Sequence, residues 1–139
     1  MIVVGVDGSE PARRALAFAA EEAKLRDLPL RIVCAWEIPP VDYVGAALLP
    51  TPDAADAAER HARDVLADAL AELGNLGVAV EALEVHGHPP DVLVEQARDA
   101  TLLVVGSRGH GGLASLVLGS VSQAVAHRCH CPLTIVPAR

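Results

Sequence analysis

Aromatic side chains are nearly missing from this chain of 139 residues: Phe18, Trp36 and Tyr43 are the only ones, 2% of the total. A platform on which nucleic-acid bases stack needs several rings, so none is expected. Positive charge is also scarce. Lysine occurs once, at Lys24, and 11 basic against 18 acidic residues leave a net charge of −7. Nucleic-acid binding runs on phosphate neutralisation, which this balance disfavours. Lys24 is followed by Leu25, so the Gly-Lys-Ser/Thr of a P-loop is absent. The 3 cysteines are odd in number and lack framework spacing, which fits a reducing cytoplasm better than a disulfide-stapled domain. No apolar run approaches the ~18 residues of a membrane span. Met1 leads straight into Ile2-Val3-Val4 without a basic start or cleavage pattern, so no signal peptide is expected.

What the chain does have is aliphatic: 52% of residues are hydrophobic and 21% charged. That is enough for a packed core, and the length suits one domain over 1–139. Ile2-Val3-Val4-Gly5-Val6 is too continuous for a half-exposed strand and reads as a buried, parallel one. Asp7-Gly8-Ser9 breaks it. Ser9 can cap a helix with Pro11 in its first turn, running to about Arg26 and burying Ala12, Leu16, Ala19, Ala20 and Ala23. Further strands are expected over 30–36, 78–85, 102–105 and 133–136. A second helix, over 52–73, takes Thr51 as cap and Gly74 as stop, with Ala58, Ala62, Val65, Leu66, Ala69, Leu70 and Leu73 as its apolar face. The remaining helices are expected over 89–100 and 120–128. Four prolines mark 37–52 as a long loop or flap. Strands alternating with helices imply an α/β fold: a doubly wound, five-stranded parallel sheet with helices on both faces. Such sheets bind ligands beyond the carboxyl ends of their strands, where the winding reverses. Asp7 and Gly106 each follow a buried strand and should face one crevice.

The informative segment is Gly106-Ser107-Arg108-Gly109-His110-Gly111-Gly112, followed by Gly119-Ser120-Val121-Ser122. Consecutive N–H groups in a glycine loop make an anion-binding nest. Gly119-Ser120 then opens a helix whose N-terminus carries about half a positive charge. The amides of Gly106, Gly109 and Gly119 are expected to cradle a polyphosphate opposite Asp7. Ser120 and Ser122 add hydroxyls; Arg108 and His110 add charge partners. The plainer reading is that these glycines only turn the chain from strand to helix, and that Asp7 only breaks a strand. Other motifs fall away: G-x-G-x-x-G is not spelled, and His86-Gly87-His88 is not H-x-G-H. His127-Arg128-Cys129-His130-Cys131 looks metal-like but lacks the second ligand pair of a structural zinc site. Cys34 reads as a small core residue, His86 and His88 as loop histidines, and Asp53, Asp56, Glu59, Asp64 and Asp68 as a solvated helix face.

The opening Ile2 to Ser9, the spacing Gly106-x-x-Gly109, nine residues, Gly119-Ser120, and the ending Cys131-Pro132-Leu133-Thr134-Ile135-Val136 together resemble the universal stress protein family along essentially the whole chain. The G-2x-G-9x-G-S/T pattern is that of its ATP-binding branch. The resemblance implies a single-domain, Rossmann-like fold of the adenine nucleotide alpha hydrolase-like type. It implies an ATP-binding stress-response regulatory protein acting as a homodimer, with Mg or Mn carried through the phosphates. Asp7 would sit beside the adenosine with Gly5 and Val6 lining that wall, and Ala35 would meet the adenine through its backbone. Gly106 and Gly109 would cradle ribose and phosphates, and Gly119, Ser120, Val121 and Ser122 would hold the phosphate tail. Arg108 and His110 occupy variable positions inside the motif. Thr101 departs from the aspartate usual before the fourth strand, a matter of local capping. Two alternatives stay open: a slow ATP hydrolase using His110, and a nucleotide-independent scaffolding dimer. The short apolar strand 133–136 is expected at a sheet edge, where pairing with its twin would make the dimer. The sequence names no protein partner.

Overall fold

Ile2-Val3-Val4-Gly5 carries no polar side chain and needs cover on both faces. In the computed structural model, which describes residues 1–38, 52–110 and 118–138, these four form β1 (Ile2–Gly5), with Ile2, Val3 and Val4 fully buried. There follow α1 (Glu10–Arg26), β2 (Leu30–Trp36), α2 (Pro52–Leu73), β3 (Val80–His86), α3 (Pro89–Gln96), β4 (Leu102–Gly106), α4 (Ser120–Arg128) and β5 (Leu133–Val136). One sheet holds the five strands in the order β3-β2-β1-β4-β5, every neighbouring pair parallel. The chain winds outward from β1 to β3, then returns to the other side of β1. The reversal falls between β1 and β4, and β5 lies at an edge as expected.

Alternate strand residues serve opposite faces. Ile2, Val4, Leu30, Ile32 and Val104 pack under α1 and α2, while Val3, Val33, Leu103 and Val105 pack under α3 and α4. With so few rings available, the first layer is built from alanine. α1 buries Ala12, Ala15, Leu16, Ala19, Ala20 and Ala23, so the helix lies close on the sheet. The approach is tight at Gly106, where a Cβ would stand 2.8 Å from the carbonyl carbon and oxygen of Pro11. The Ser9 hydroxyl accepts from Ala12 N at 3.3 Å and starts α1. Asp27 ends it in the left-handed region, with Leu28 N donating to Ala23 O at 3.0 Å.

Some expectations shift. β3 runs over Val80–His86 rather than 78–85, its start set by the register with β2: Leu30 pairs with Val80, and Leu30 N donates to Ala79 O at 2.9 Å. α3 stops at Gln96 instead of reaching Ala100. Its last turn tightens there, with Arg98 N donating to Glu95 O at 3.2 Å and Ala100 N to Ala97 O at 3.0 Å. Leu70 is 42% exposed rather than part of the apolar face of α2: it follows buried Ala69 and is turned roughly 100° round the helix. Asp53, Asp56, Asp64 and Asp68 are exposed as expected, and Glu59 pairs with Arg63. Arg63 also reaches Glu84 of β3 at 2.7 Å, an ion pair that the surrounding water largely screens. The expected 37–52 flap and the Thr51 cap fall on residues 39–51, and Gly111 and Gly112 also lie outside the described residues. Among the described residues no helix is long and apolar enough to cross a membrane.

The Gly106 contact generates a stability prediction. Gly106→Ala drives its methyl group into helix backbone and should destabilise by about 1–3 kcal/mol in denaturant unfolding. Gly74→Ala meets nothing within 4 Å and only a positive φ of 55°, so it should lose roughly 1 kcal/mol. Equal losses at the two positions would contradict the close α1–sheet packing.

Candidate functional site

β1 and β4 both end at the reversal, and the chain leaves each of them through a turn. Asp7 makes the first turn. Its Oδ1 accepts from Ser9 N at 2.9 Å and from the Ser9 hydroxyl at 2.5 Å. Its Oδ2 accepts from His110 N at 3.2 Å. The half-buried carboxylate therefore spans from the start of α1 to the glycine loop after β4. Asp7 is a turn residue and also a clamp across the crevice. Gly109 sits against it: a Cβ there would collide with Oδ2.

The loop after β4 is pinned at both ends. Ser107 N donates to Val136 O at 2.8 Å, and Ser107 O accepts from Gly119 N at 2.7 Å. The Ser122 hydroxyl, 2% exposed, lies 2.9 Å from the same Ser107 carbonyl and 3.0 Å from Gly119 O. These contacts correct two expectations. The Gly119 amide is committed inside the protein and is no anion donor. The Ser122 hydroxyl is turned inward, so only its backbone can serve the crevice. Gly119 instead caps α4 without a side chain, and among the described residues no cap side chain bonds the helix N-terminus.

These segments enclose a cleft of about 560 Å³ at the carboxyl ends of β1, β2 and β4, within the range of small-molecule sites. Gly5, Val6 and Asp7 line it from β1, and Ala35 from β2. Gly106, Arg108, Gly109 and His110 line it from the loop, and Gly119, Ser120, Val121 and Ser122 from the start of α4. The twelve residues given a binding role in the sequence analysis all line this cavity, whereas Ser107 of the same loop does not. The lining also includes Trp36, Glu37, His61 and Leu93, which sequence reasoning missed. Trp36 is foreshadowed by its place beside Ala35 at a strand end; His61 by its place at the margin of the Ala58–Ala62–Val65 stripe. Trp36 packs on His86 with ring centroids 4.5 Å apart. Its Nε1 is the one buried side-chain polar atom without a hydrogen-bond partner among the described residues. Glu37 reaches His88 Nδ1 at 3.3 Å, tying the end of β2 to the start of α3.

Cys34 lines the cleft floor at 4% exposure. Burial pushes its thiol up to about 11, and the nearby Asp7 carboxylate, then Glu84, add to the rise. Among the described residues no three His, Cys, Asp or Glu side chains converge as a metal site.

A parallel doubly wound sheet with a glycine-lined cleft at its reversal places the chain among Rossmann-like α/β domains. The universal stress protein family profile matches residues 1–137, and the chain belongs to that family. It is 36% identical over 140 residues to a universal stress protein of Mycobacterium tuberculosis H37Rv, covering 99% of this chain and 48% of the relative. The chain thus spans about half the length of the curated relatives it first matches. A universal stress protein solved in complex with cAMP superposes with a TM-score of 0.73 at 30% identity, over 99% of this chain and 97% of the other. Another, from Archaeoglobus fulgidus in complex with dAMP, gives 0.70 at 27% identity, over 97% and 95%.

The charge beside Cys34 is testable. Asp7→Asn keeps a carbonyl acceptor but removes the negative charge that disfavours the thiolate. The Cys34 pKa should therefore fall below about 11 while burial holds it above the ordinary value. The ultraviolet absorbance of the thiolate followed against pH, in a chain carrying Cys129→Ser and Cys131→Ser, reads this without a reagent having to reach the buried sulfur. An unchanged or higher pKa would contradict the contact.

Proposed function

We propose that this chain is an adenine-nucleotide-binding regulatory protein, with ATP as its ligand in the cleft between β1, β2 and β4. The observation that carries the reading is the close seating of Gly109 on the Asp7 carboxylate, where a side chain would collide. This holds loop backbone against the strand ends, inside a cavity of nucleotide size. Universal stress proteins of the same fold, solved with cAMP and with dAMP, support an adenine nucleotide. The aliphatic strand ends Val6, Val33 and Ala35 suit a flat base, and the Trp36 N–H, which has no partner among the described residues, is available to an acceptor on it. Gly106 and Gly109 bring backbone to the ribose and phosphates. The amides of Ser120, Val121 and Ser122 open α4 toward the phosphate tail. Arg108 and His110 flank the same stretch. A divalent Mg or Mn ion would ride on the phosphates.

Occupancy acts through the loop's two anchors. A ligand that shifts Gly109 works on Asp7 and the start of α1; one that shifts Ser107 works on α4 and β5. That is a regulatory readout for a cytoplasmic, single-domain homodimer joined through edge strand β5. Asp7 has its oxygens engaged by Ser9 and His110, so the reading gives it no role as a hydrolytic base.

Titration calorimetry tests the proposal. ATP should bind the folded chain saturably, and Gly109→Ala should weaken binding by about tenfold or more, the loss of roughly one hydrogen bond's worth of contact. Absence of heat with folded protein, or an unchanged affinity in Gly109→Ala, would sink it.

A further inference from the structure

Cys129 and Cys131 stand outside the cleft, at the junction where α4 hands over to β5. Both are free thiols and both are half-buried. Their sulfurs lie 3.3 Å apart. A disulfide needs about 2.05 Å, so an approach of about 1.3 Å closes the bond. The stretch that carries them is fixed at both ends. Cys129 N donates to Val125 O at 2.8 Å, and the carbonyl of Pro132 accepts from Leu103 N at 2.9 Å. The thiols are therefore held facing one another by backbone already anchored to α4 and β4. The neighbouring His127 and His130 do not make this a metal centre, since no third donor converges with the sulfurs among the described residues.

We propose that Cys129 and Cys131 form a reversible dithiol–disulfide pair, an oxidative modification site at the entry to the edge strand. The oxidant is a low-molecular-weight disulfide. The Cys129 thiolate attacks one of its sulfurs, forming a mixed disulfide and expelling one small thiolate, which takes up a proton. The Cys131 sulfur then attacks Cys129 Sγ, forming the internal bond. The second small thiol departs with the proton from Cys131. The protein loses two hydrogens and two electrons, and the small disulfide becomes two thiols. Burial first, then the hydrogen bond with Cys129, raise the Cys131 thiol to about 11, which keeps it protonated and out of the first attack on the oxidant. Cys34 is a built-in control: at 4% exposure in the cleft floor, it is shielded where Cys129 and Cys131 are half-buried.

The full chain is incubated folded with oxidised glutathione, free thiols are alkylated, and the products are weighed and mapped by mass spectrometry. The unchanged chain should lose two hydrogens, with Cys129 and Cys131 protected and Cys34 alkylated only after unfolding. Dithiothreitol should restore both thiols. Cys131→Ser, which cannot resolve, should accumulate a glutathione adduct at Cys129 and no internal bond. Three thiols still free, a lasting glutathione adduct on the unchanged chain, or a bridge that uses Cys34 or a second chain would each overturn the proposal. None of these readouts depends on nucleotide binding.

Discussion

A single carboxylate joins the two segments that leave the sheet where its winding reverses. Asp7 accepts from Ser9 on one side and from His110 on the other, and hydrogen bonds to a charged acceptor contribute about 1.5–3 kcal/mol each. Its placement before α1 also sets negative charge at the positive end of a helix dipole. The Ser9 hydroxyl passes the connection on, donating to Asp7 and accepting from Ala12 N. Three elements, β1, α1 and the loop after β4, therefore share one anchor. That anchor ties the two walls of the cleft together, and the same charge reaches Cys34 beneath it.

Clearance is the second constraint. A core short of aromatic rings fills its space with alanine and β-branched residues, and backbones come close as a result. Gly106 rests on Pro11, Gly109 on Asp7, and Gly5 on the Leu93 side chain at 2.9 Å from a notional Cβ. All three glycines lie along the cleft. The surfaces that shape the site are thus main chain to an unusual degree, and side-chain chemistry enters mostly at the rim, through Arg108, His110, Glu37 and His61.

Much of this was legible in the sequence, for physical reasons that differ by element. β1 and β4 announce themselves as continuous aliphatic runs, because strands covered on both faces admit few polar residues; β2 is mostly apolar but carries Arg31, which pairs with Glu81 of β3. α1 announces itself through Ser9 and Pro11. The edge strand β3 and the short α3 were placed less accurately. Their limits depend on what the neighbouring strand can pair with and on a tightened last turn, neither of which is a local property of the residues concerned. In the cleft, spacing revealed which residues converge. It could not reveal that the Gly119 amide and the Ser122 hydroxyl are spent on Ser107 O, since such bonds follow from the loop's three-dimensional course. Trp36 and His61 reach the cavity because α2 crosses the end of β2, a packing outcome with only a weak trace in sequence.

The central position of β1 bears on how the chain is made. Ile2 pairs with Leu30 on one side and with Leu102 on the other, about a hundred residues downstream. During synthesis the half-sheet β3-β2-β1 can assemble with α1 and α2 as soon as β3 emerges, while the opposite border of β1 waits for β4 to leave the ribosome. Throughout that interval the nascent chain presents an unsatisfied row of amides and carbonyls flanked by Ile2, Val3 and Val4, the kind of border that recruits foreign strands.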